Sequence, residues 1–404
     1  MQKIYQTAII GGGAAGLMTA VEVCRGDFSL CGKDVIILEK NDRVGKKLIA
    51  TGNGQGNLTN ENLSREYYYG DKKFIDEFLL SEKNICLKRY LEELGIPLYS
   101  KADGKVYPLS RQASSVLDII RQHLSNFGVE EKTSAEVLDL RKEKDFYRIK
   151  TSAGEFFAKT VVLATGGSVA KQFGTDGSAY SLAIKFKHKK SQIYPSLVQL
   201  KTNLDTIRGL KGLKEVAKVM AIHNGKLLKS ATGDLLFTEF GVSGASVFQV
   251  SSAVTDKSGA ILKIEFLPEL TLEELTALLE NRRKNYPYLY SSDMLCGIVN
   301  KRIGQAVIKT AKDNSPTAVA FALKNFTLSV LGSLGANYAQ VTKGGILTED
   351  VNALTMESKL SENLFLTGEL LNVDGDCGGY NLTFAFVTGI LAGKAIKEKL
   401  TKNN

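Results

Sequence analysis

Gly11, Gly13 and Gly16 form the pattern G-x-G-x-x-G, the first spacing in this chain that could do chemistry. In such a turn the first glycine makes the tight bend and the second lets backbone approach a pyrophosphate. The third lets a helix pack on a strand. Ala14 and Ala15 then open a helix whose N-terminal end carries about half a positive charge, which suits phosphate. Glu39 ends the next apolar run, "DVIILEK", where a carboxylate can accept both ribose hydroxyls of an adenosine and repels a 2′-phosphate. FAD or NAD fits such a site, and NADP is disfavoured.

Later segments select FAD. "VVLATGG" ends a buried run in Thr165, Gly166 and Gly167, directly after an alternating, meander-like stretch. "LFLTGE" closes another in Gly368 and Glu369, where a carboxylate can hold the ribityl chain. The acidic, glycine-rich loop with Asp376 and Gly379 leads through Tyr380 into a helix starting near Asn381 and Leu382, whose dipole would face the flavin C2 carbonyl. "TGNGQGNLTN", from Thr51 to Asn60, sets Gly52, Asn53, Gly54 and Asn57 just past the basic "VGKKL". Its glycines allow close backbone approach, and its asparagines offer donors and acceptors without charge. Asn57 and Asn381 are therefore expected near the same flavin. Lys40, Lys46, Lys47 and Val137 complete the expected contact set for a non-covalent FAD.

The chemistry must come mainly from that cofactor. No Ser-His-Asp set, metal cluster or carboxylate pair stands out, and His123, His188 and His223 are far apart. A second G-x-G-x-x-G is missing, so NAD(P)H is expected as a transient co-substrate, docking over the flavin. Lys47 or Arg111 could polarise a substrate carbonyl, and Tyr107 or Tyr380 could protonate a carbon. Cys377 reads as a small filler in the glycine loop.

The rest of the chain supports these groups. "TAII", the glycine turn, "LMTAVEVCR" and "DVIILEK" make a βαβ unit. Helices are expected over Phe74–Leu94 and over Gln112–Phe127, the latter capped by Ser110. Residues 196–334 read as an inserted, substrate-side domain, with a β part over about 196–270 and a helical part over about 271–334. Residues 1–195 and 335–404 would form one doubly wound α/β, Rossmann-like FAD domain.

The 404 residues carry a formal net charge of +9 with 24% charged and 44% hydrophobic side chains, which excludes a disordered or fibrous chain. The positive sum admits an anionic partner, but the densest run, "KFKHKK", reads as a solvated face, and nucleic acid is not the expected partner. Five scattered cysteines without C-x-x-C argue against a disulfide framework or disulfide reductase and fit the cytoplasm. The apolar stretch Thr7–Val21 is too short to span a membrane. Nothing here sets the oligomeric state.

The sequence resembles the bacterial flavoproteins that include aminoacetone oxidase and the BaiN-type 3-dehydro-bile-acid Δ4,6-reductases. The resemblance runs through "GGGAAGLMTA", "GKKLIATGNGQGNLTN", "GKVYPLSRQASSV", "VVLATGGS", "GDLLFTEFGVSG" and "LTGELLNVDGDCGGYNLTFAFVTG". It implies a two-dinucleotide-binding FAD domain interrupted by a β-barrel-like plus helical insert. It also implies a reductase of a C=C conjugated to a ketone or, alternatively, an amine oxidase using O2. The chain departs from the pattern at Gln55 and Gly56, where relatives carry Arg and Cys, at Glu239, where they carry His, and at Lys187, where they carry Gly. A third alternative, from the net charge, is a flavin-containing protein that binds or modifies RNA.

Overall fold

A computed structural model describes residues 3–26, 34–289 and 293–402; Cys31 lies outside them. The chain divides into two compact units, Met1–Ile193 with Val341–Asn404, and Tyr194–Gln340.

In the first unit, β1 (Ile4–Ile10), α1 (Ala14–Cys24) and β2 (Val35–Leu38) form the βαβ unit. The short strands β3 (Thr59–Asn60), β4 (Tyr68–Gly70), β5 (Leu98–Ser100) and β6 (Lys105–Pro108) follow. Then come β7 (Glu130–Lys132) and a meander of β8 (Val137–Lys142), β9 (Tyr147–Thr151) and β10 (Gly154–Leu163). The main sheet has seven strands in the order β7-β2-β1-β10-β9-β8, with Leu364–Leu366 also paired to β10. β1 runs parallel to β2 (Ile10↔Leu38) and to β10 (Ile10↔Leu163), and β10 runs parallel to the late strand (Leu163↔Leu366). The meander's last strand and the buried run Val161–Leu163 are one strand: β10 pairs with β9 in its first half and the parallel sheet in its second. Central strands buried on both faces explain the continuous apolar runs.

The C-terminal helix, Tyr380–Lys402, packs on α1 through glycine. A Cβ on Gly389 would stand 2.3 Å from the Ala15 carbonyl oxygen, and one on Gly393 would stand 2.6 Å from Glu22 Cβ. The helix expected over Phe74–Leu94 is two helices, Lys72–Ile85 and Leu87–Glu93, because Cys86 turns left-handed at φ 53°. Ser110 does not cap the next helix. Gln112 precedes Ala113–Asn126, and the Ser110 hydroxyl instead accepts the Gln112 N–H at 3.3 Å.

The second unit is built on a closed six-stranded barrel. Its strands follow the order Leu200–Thr202, Gly241–Ser243, Lys226–Phe237, Lys214–His223, Ile261–Phe266 and Phe326–Ser333. Phe237, Phe266 and Phe326 belong to its core. Helices Leu272–Asn285, Lys301–Thr310 and Pro316–Lys324 follow the fifth strand. Phe326–Ser333, within the stretch expected to be helical, is instead the closing strand, as its buried/exposed alternation requires.

Candidate active site

The four glycines of the first turn have different duties. A Cβ on Gly11 would lie 2.5 Å from the Ala164 carbonyl oxygen, one on Gly12 2.5 Å from Val44 Cγ1, and one on Gly16 2.0 Å from the Gly11 oxygen. These positions are closed by the protein itself. A Cβ on Gly13 meets nothing within 4 Å, and Gly13 precedes α1 with no side-chain cap. The fold thus leaves open space at an uncapped helix start beginning with Ala14 and Ala15, where a pyrophosphate needs it.

Glu39, buried at the end of β2, accepts the Gly12 N–H at 2.8 Å, the Asn41 N–H at 2.8 Å and the Asn41 amide at 2.7 Å. Two carboxylate oxygens offer about four lone-pair sites, so one remains for a ribose hydroxyl. The adjacent Lys40 pairs with Asp176 at 2.9 Å. Burial pushes the Asp176 carboxyl up, but Lys40 and the Ser178 hydroxyl and N–H outweigh it and hold the group at about 2. Lys46 is tied to Asp42 at 2.6 Å, and half-buried Val137 starts β8.

A second junction joins distant segments. Lys47 Nζ lies 2.5 Å from Glu369, whose other oxygen accepts the Thr342 N–H at 2.8 Å. The Thr342 hydroxyl accepts the Ser168 N–H at 2.9 Å, and a Cβ on Gly167 would collide with it at 2.1 Å. Gly166 and Gly368 are left-handed at φ 72° and 67°, and the Gly368 N–H donates to Thr388 Oγ1. The Thr165 hydroxyl is buried and has no hydrogen-bond partner among the described residues.

The two "NLT" segments meet. The Thr383 hydroxyl donates to Thr59 Oγ1 at 2.8 Å, and the Asn60 amide donates to the Gly378 carbonyl at 2.9 Å. With its amide oxygen turned toward Gly379, Asn57 accepts that N–H at 3.1 Å and donates to the Thr59 carbonyl at 3.2 Å. Gly379 cannot carry a side chain, since a Cβ would stand 2.4 Å from the Thr59 oxygen. Asn381 folds its amide back onto Gly375, accepting the N–H and donating to the carbonyl, both at 2.8 Å, while Leu382 packs at the core edge. Buried Asp376 accepts from the Tyr69 hydroxyl at 3.0 Å. Gly52, Asn53 and Gly54 are exposed, all at positive φ, and a Cβ on Gly52 would reach Tyr107 Cε1 at 3.6 Å.

The four candidate catalytic side chains separate by what they touch. Lys47 is committed to Glu369. Tyr380 is stacked on Tyr67 with centroids 4.6 Å apart, and its hydroxyl donates to the Asn62 carbonyl at 3.3 Å. Arg111 is exposed over the Tyr99 ring. Tyr107 has a buried ring, but its hydroxyl has no hydrogen-bond partner among the described residues and is not sealed from solvent. Burial raises the Tyr107 pKa and outweighs nearby Lys105, which lowers it. The histidines bond elsewhere: His123 to the Leu94 carbonyl, His188 to Ser358 and His223 to the Ser258 carbonyl. Among the described residues no group of three His, Cys, Asp or Glu could hold a metal, and no helix is long and apolar enough to cross a membrane.

Asn41, Asp176 and Thr342 were not singled out in the sequence. "GTDG" at Gly174–Gly177 held a usable signal, because an acid between glycines in a long loop marks a constrained turn. Thr342 had none, since its role depends on contacts with Ser168 and Glu369.

A parallel sheet extended by a meander and an open, uncapped first helix answered by a buried acid define an FAD-dependent oxidoreductase with a Rossmann-type fold. The chain belongs to the HI0933-like family, whose Rossmann-domain model matches residues 5–395. It is 34% identical over 407 residues to the 3-dehydro-bile acid Δ(4,6)-reductase of Clostridium scindens, covering 97% of this chain and 98% of that one. It is 24% identical to the ribosomal RNA dihydrouridine synthase of Haemophilus influenzae, covering 96% and 97%. Among solved structures, the 3-ketosteroid-Δ4-(5α)-dehydrogenase of Rhodococcus jostii RHA1 aligns with a TM-score of 0.52 at 14% identity, covering 98% of both chains. The quinol fumarate reductase FrdA of E. coli aligns with a TM-score of 0.52 at 15% identity, covering 100% of this chain and 72% of that one. At these identities the structures speak for the fold alone.

Proposed function

We propose that this protein reduces a carbon–carbon double bond conjugated to a carbonyl, with NAD(P)H as the electron source. FAD, when bound, supplies the hydride. Gly13, Glu39 and the Lys47–Glu369 junction would hold it, within the discontinuous 1–195 and 335–404 domain. Residues 196–334 would serve the substrate side. The observation that carries the reading is Tyr107, whose buried ring presents an unpartnered hydroxyl beside the "TGNGQG" loop. Once the β-carbon has gained hydride, the electron pair rests on the carbonyl oxygen as an enolate. The carbonyl re-forms as the α-carbon takes the Tyr107 proton, and solvent reprotonates the tyrosinate. The relatives' names support this chemistry from two directions. The bile-acid reductase saturates a ring double bond conjugated to a ketone, and dihydrouridine is uridine saturated beside its C4 carbonyl.

Anaerobic photometry tests the assignment. NADH or NADPH should bleach the flavin and a 3-oxo-Δ4 steroid should restore its colour. Bleaching by aminoacetone alone, with recovery only on admitting O2, would establish the oxidase instead.

The net charge of +9 and the dihydrouridine synthase relative favour a second reading, in which the reduced ring belongs to RNA. It requires RNA retention at about 150 mM salt with a steep salt slope. The scattered cysteine spacing, without C-x-x-C, supports the proposed cytoplasmic location.

A further inference from the structure

We infer that the first unit carries a second ligand site, at the far end of α1 from the proposed flavin contacts, which takes a small hydroxylated anion, a sugar phosphate or a hydroxycarboxylate. The inference does not depend on the reaction proposed above. α1 opens beside Gly13, and a rise of about 1.5 Å per residue carries Glu22 about 12 Å beyond Ala14. There a cavity of about 400 Å³ lies among the end of α1, the helices Lys72–Ile85 and Leu87–Glu93, and the C-terminal helix. That volume is ordinary for a small-molecule site.

Glu22 is the buried end of this cavity. Gly393 makes room for it, since a Cβ there would stand 2.6 Å from Glu22 Cβ, and Glu22 is only 6% exposed. One of its carboxylate oxygens accepts the Tyr90 hydroxyl at 2.5 Å. The other has no hydrogen-bond partner among the described residues and is not sealed, so it opens on the cavity that Glu22 lines. A carboxylate offers about four lone-pair sites, and burying it is costly where they stay empty. Glu39 fills its sites with three N–H donors, whereas Glu22 leaves most of its own to hydroxyl groups of a ligand. Exposed Asn84, whose amide makes no hydrogen bond among the described residues, adds a donor and an acceptor at the rim.

The rim also sets the ligand's charge. Glu93 is shared between Arg25 at 2.6 Å and Arg89 at 3.8 Å, and Lys397 donates to the Arg25 carbonyl. Exposed Lys394 has no acid partner among the described residues. Four cations against Glu22 and Glu93 leave the lining two positive charges in surplus, which an anionic group offsets. Ile85 is the one large aliphatic side chain in the lining, so a steroid finds no apolar wall. The Tyr90 ring is buried, with the Arg25 guanidinium carbon 4.5 Å from its centroid, so a nucleobase finds no free platform. Hydroxyls for Glu22 and an anionic group for Arg89 and Lys394 are what the cavity accommodates.

Titration calorimetry of the FAD-saturated protein with glucose 6-phosphate, citrate, inorganic phosphate and glucose tests the site. Glucose 6-phosphate or citrate should bind about tenfold tighter than both phosphate and glucose, the tighter of the two identifying the source of the anion. In Lys394→Met, which changes an exposed side chain, that affinity should fall about tenfold while FAD content and the ligand-free melting temperature hold. Glu22→Gln should erase the preference over phosphate; if it does not fold, Lys394→Met decides alone. Binding of neither hydroxylated anion, binding no tighter than that of phosphate, or an affinity that Lys394→Met leaves untouched would overturn the inference.

Discussion

Gly11 and Gly13 are two residues apart and chemically identical, yet the fold asks different things of them. Gly11 sits at φ 104° against the Ala164 carbonyl, so Gly11→Ala should destabilise the protein with or without cofactor. Gly13 has an ordinary φ of −84° and empty space where a Cβ would go, so Gly13→Ala should leave the apoprotein's melting temperature unchanged and weaken FAD binding. Flavin fluorescence release beside apoprotein melting separates the two effects. An apo melt shifted as far as that of Gly11→Ala would mean that the Gly13 space is structural. Tyr107 and Tyr380 divide in the same way. Tyr107→Phe should lower kcat about 10²- to 10⁴-fold with FAD retained, whereas Tyr380→Phe loses only a bond to a backbone carbonyl and should keep most of its activity. Because burial raises the Tyr107 pKa, its donor form persists through neutral pH. Activity should fall only above the ordinary tyrosine range, about 10, and a loss below pH 8 would point to another donor.

At the scale of elements, Lys187 shows how a local departure is tolerated. It follows the short helix Tyr180–Lys185 in a left-handed conformation at φ 70°, the position after a helix where glycine is favoured. Lysine there costs about 1–2 kcal/mol, and glycine's extra unfolded-state entropy returns about 0.5–1 of that. Lys187→Gly should therefore stabilise the protein by about 0.5–1 kcal/mol, read as a higher urea midpoint at unchanged slope. An unchanged or lower midpoint would mean that the exposed lysine makes an interaction worth the strain. The first βαβ unit was legible in the sequence because its apolar runs, glycine turn and terminal acid are all local signals. The left-handed break at Cys86 was not, since cysteine carries no preference for that conformation. Phe326–Ser333 alternates clearly, yet the polar helices before it masked the signal. The Lys47–Glu369 pair spans 322 positions and follows only from the strand order that brings both residues to one end of the sheet.

For the whole molecule, the two units carry separate hydrophobic cores, one centred on the Rossmann sheet and one on the barrel. Every residue proposed to touch FAD belongs to the first unit, so cofactor binding should stabilise the cores unequally. A ligand that binds only the folded form adds RT ln(1 + [L]/Kd), about 2.7 kcal/mol at a hundredfold excess over Kd. For a unit of this size that corresponds to about 5–10 °C in melting temperature. Calorimetry of the FAD-saturated and FAD-stripped protein should therefore resolve two transitions, of which only one moves. The barrel variant Phe266→Ala opens a core cavity costing about 3–5 kcal/mol and should lower the other transition while leaving flavin affinity unchanged. If both transitions instead shift together on flavin removal, the two cores melt as one cooperative block. The expectation of two independently melting units would then fail, because flavin bound to the first unit alone stabilises everything that unfolds with it.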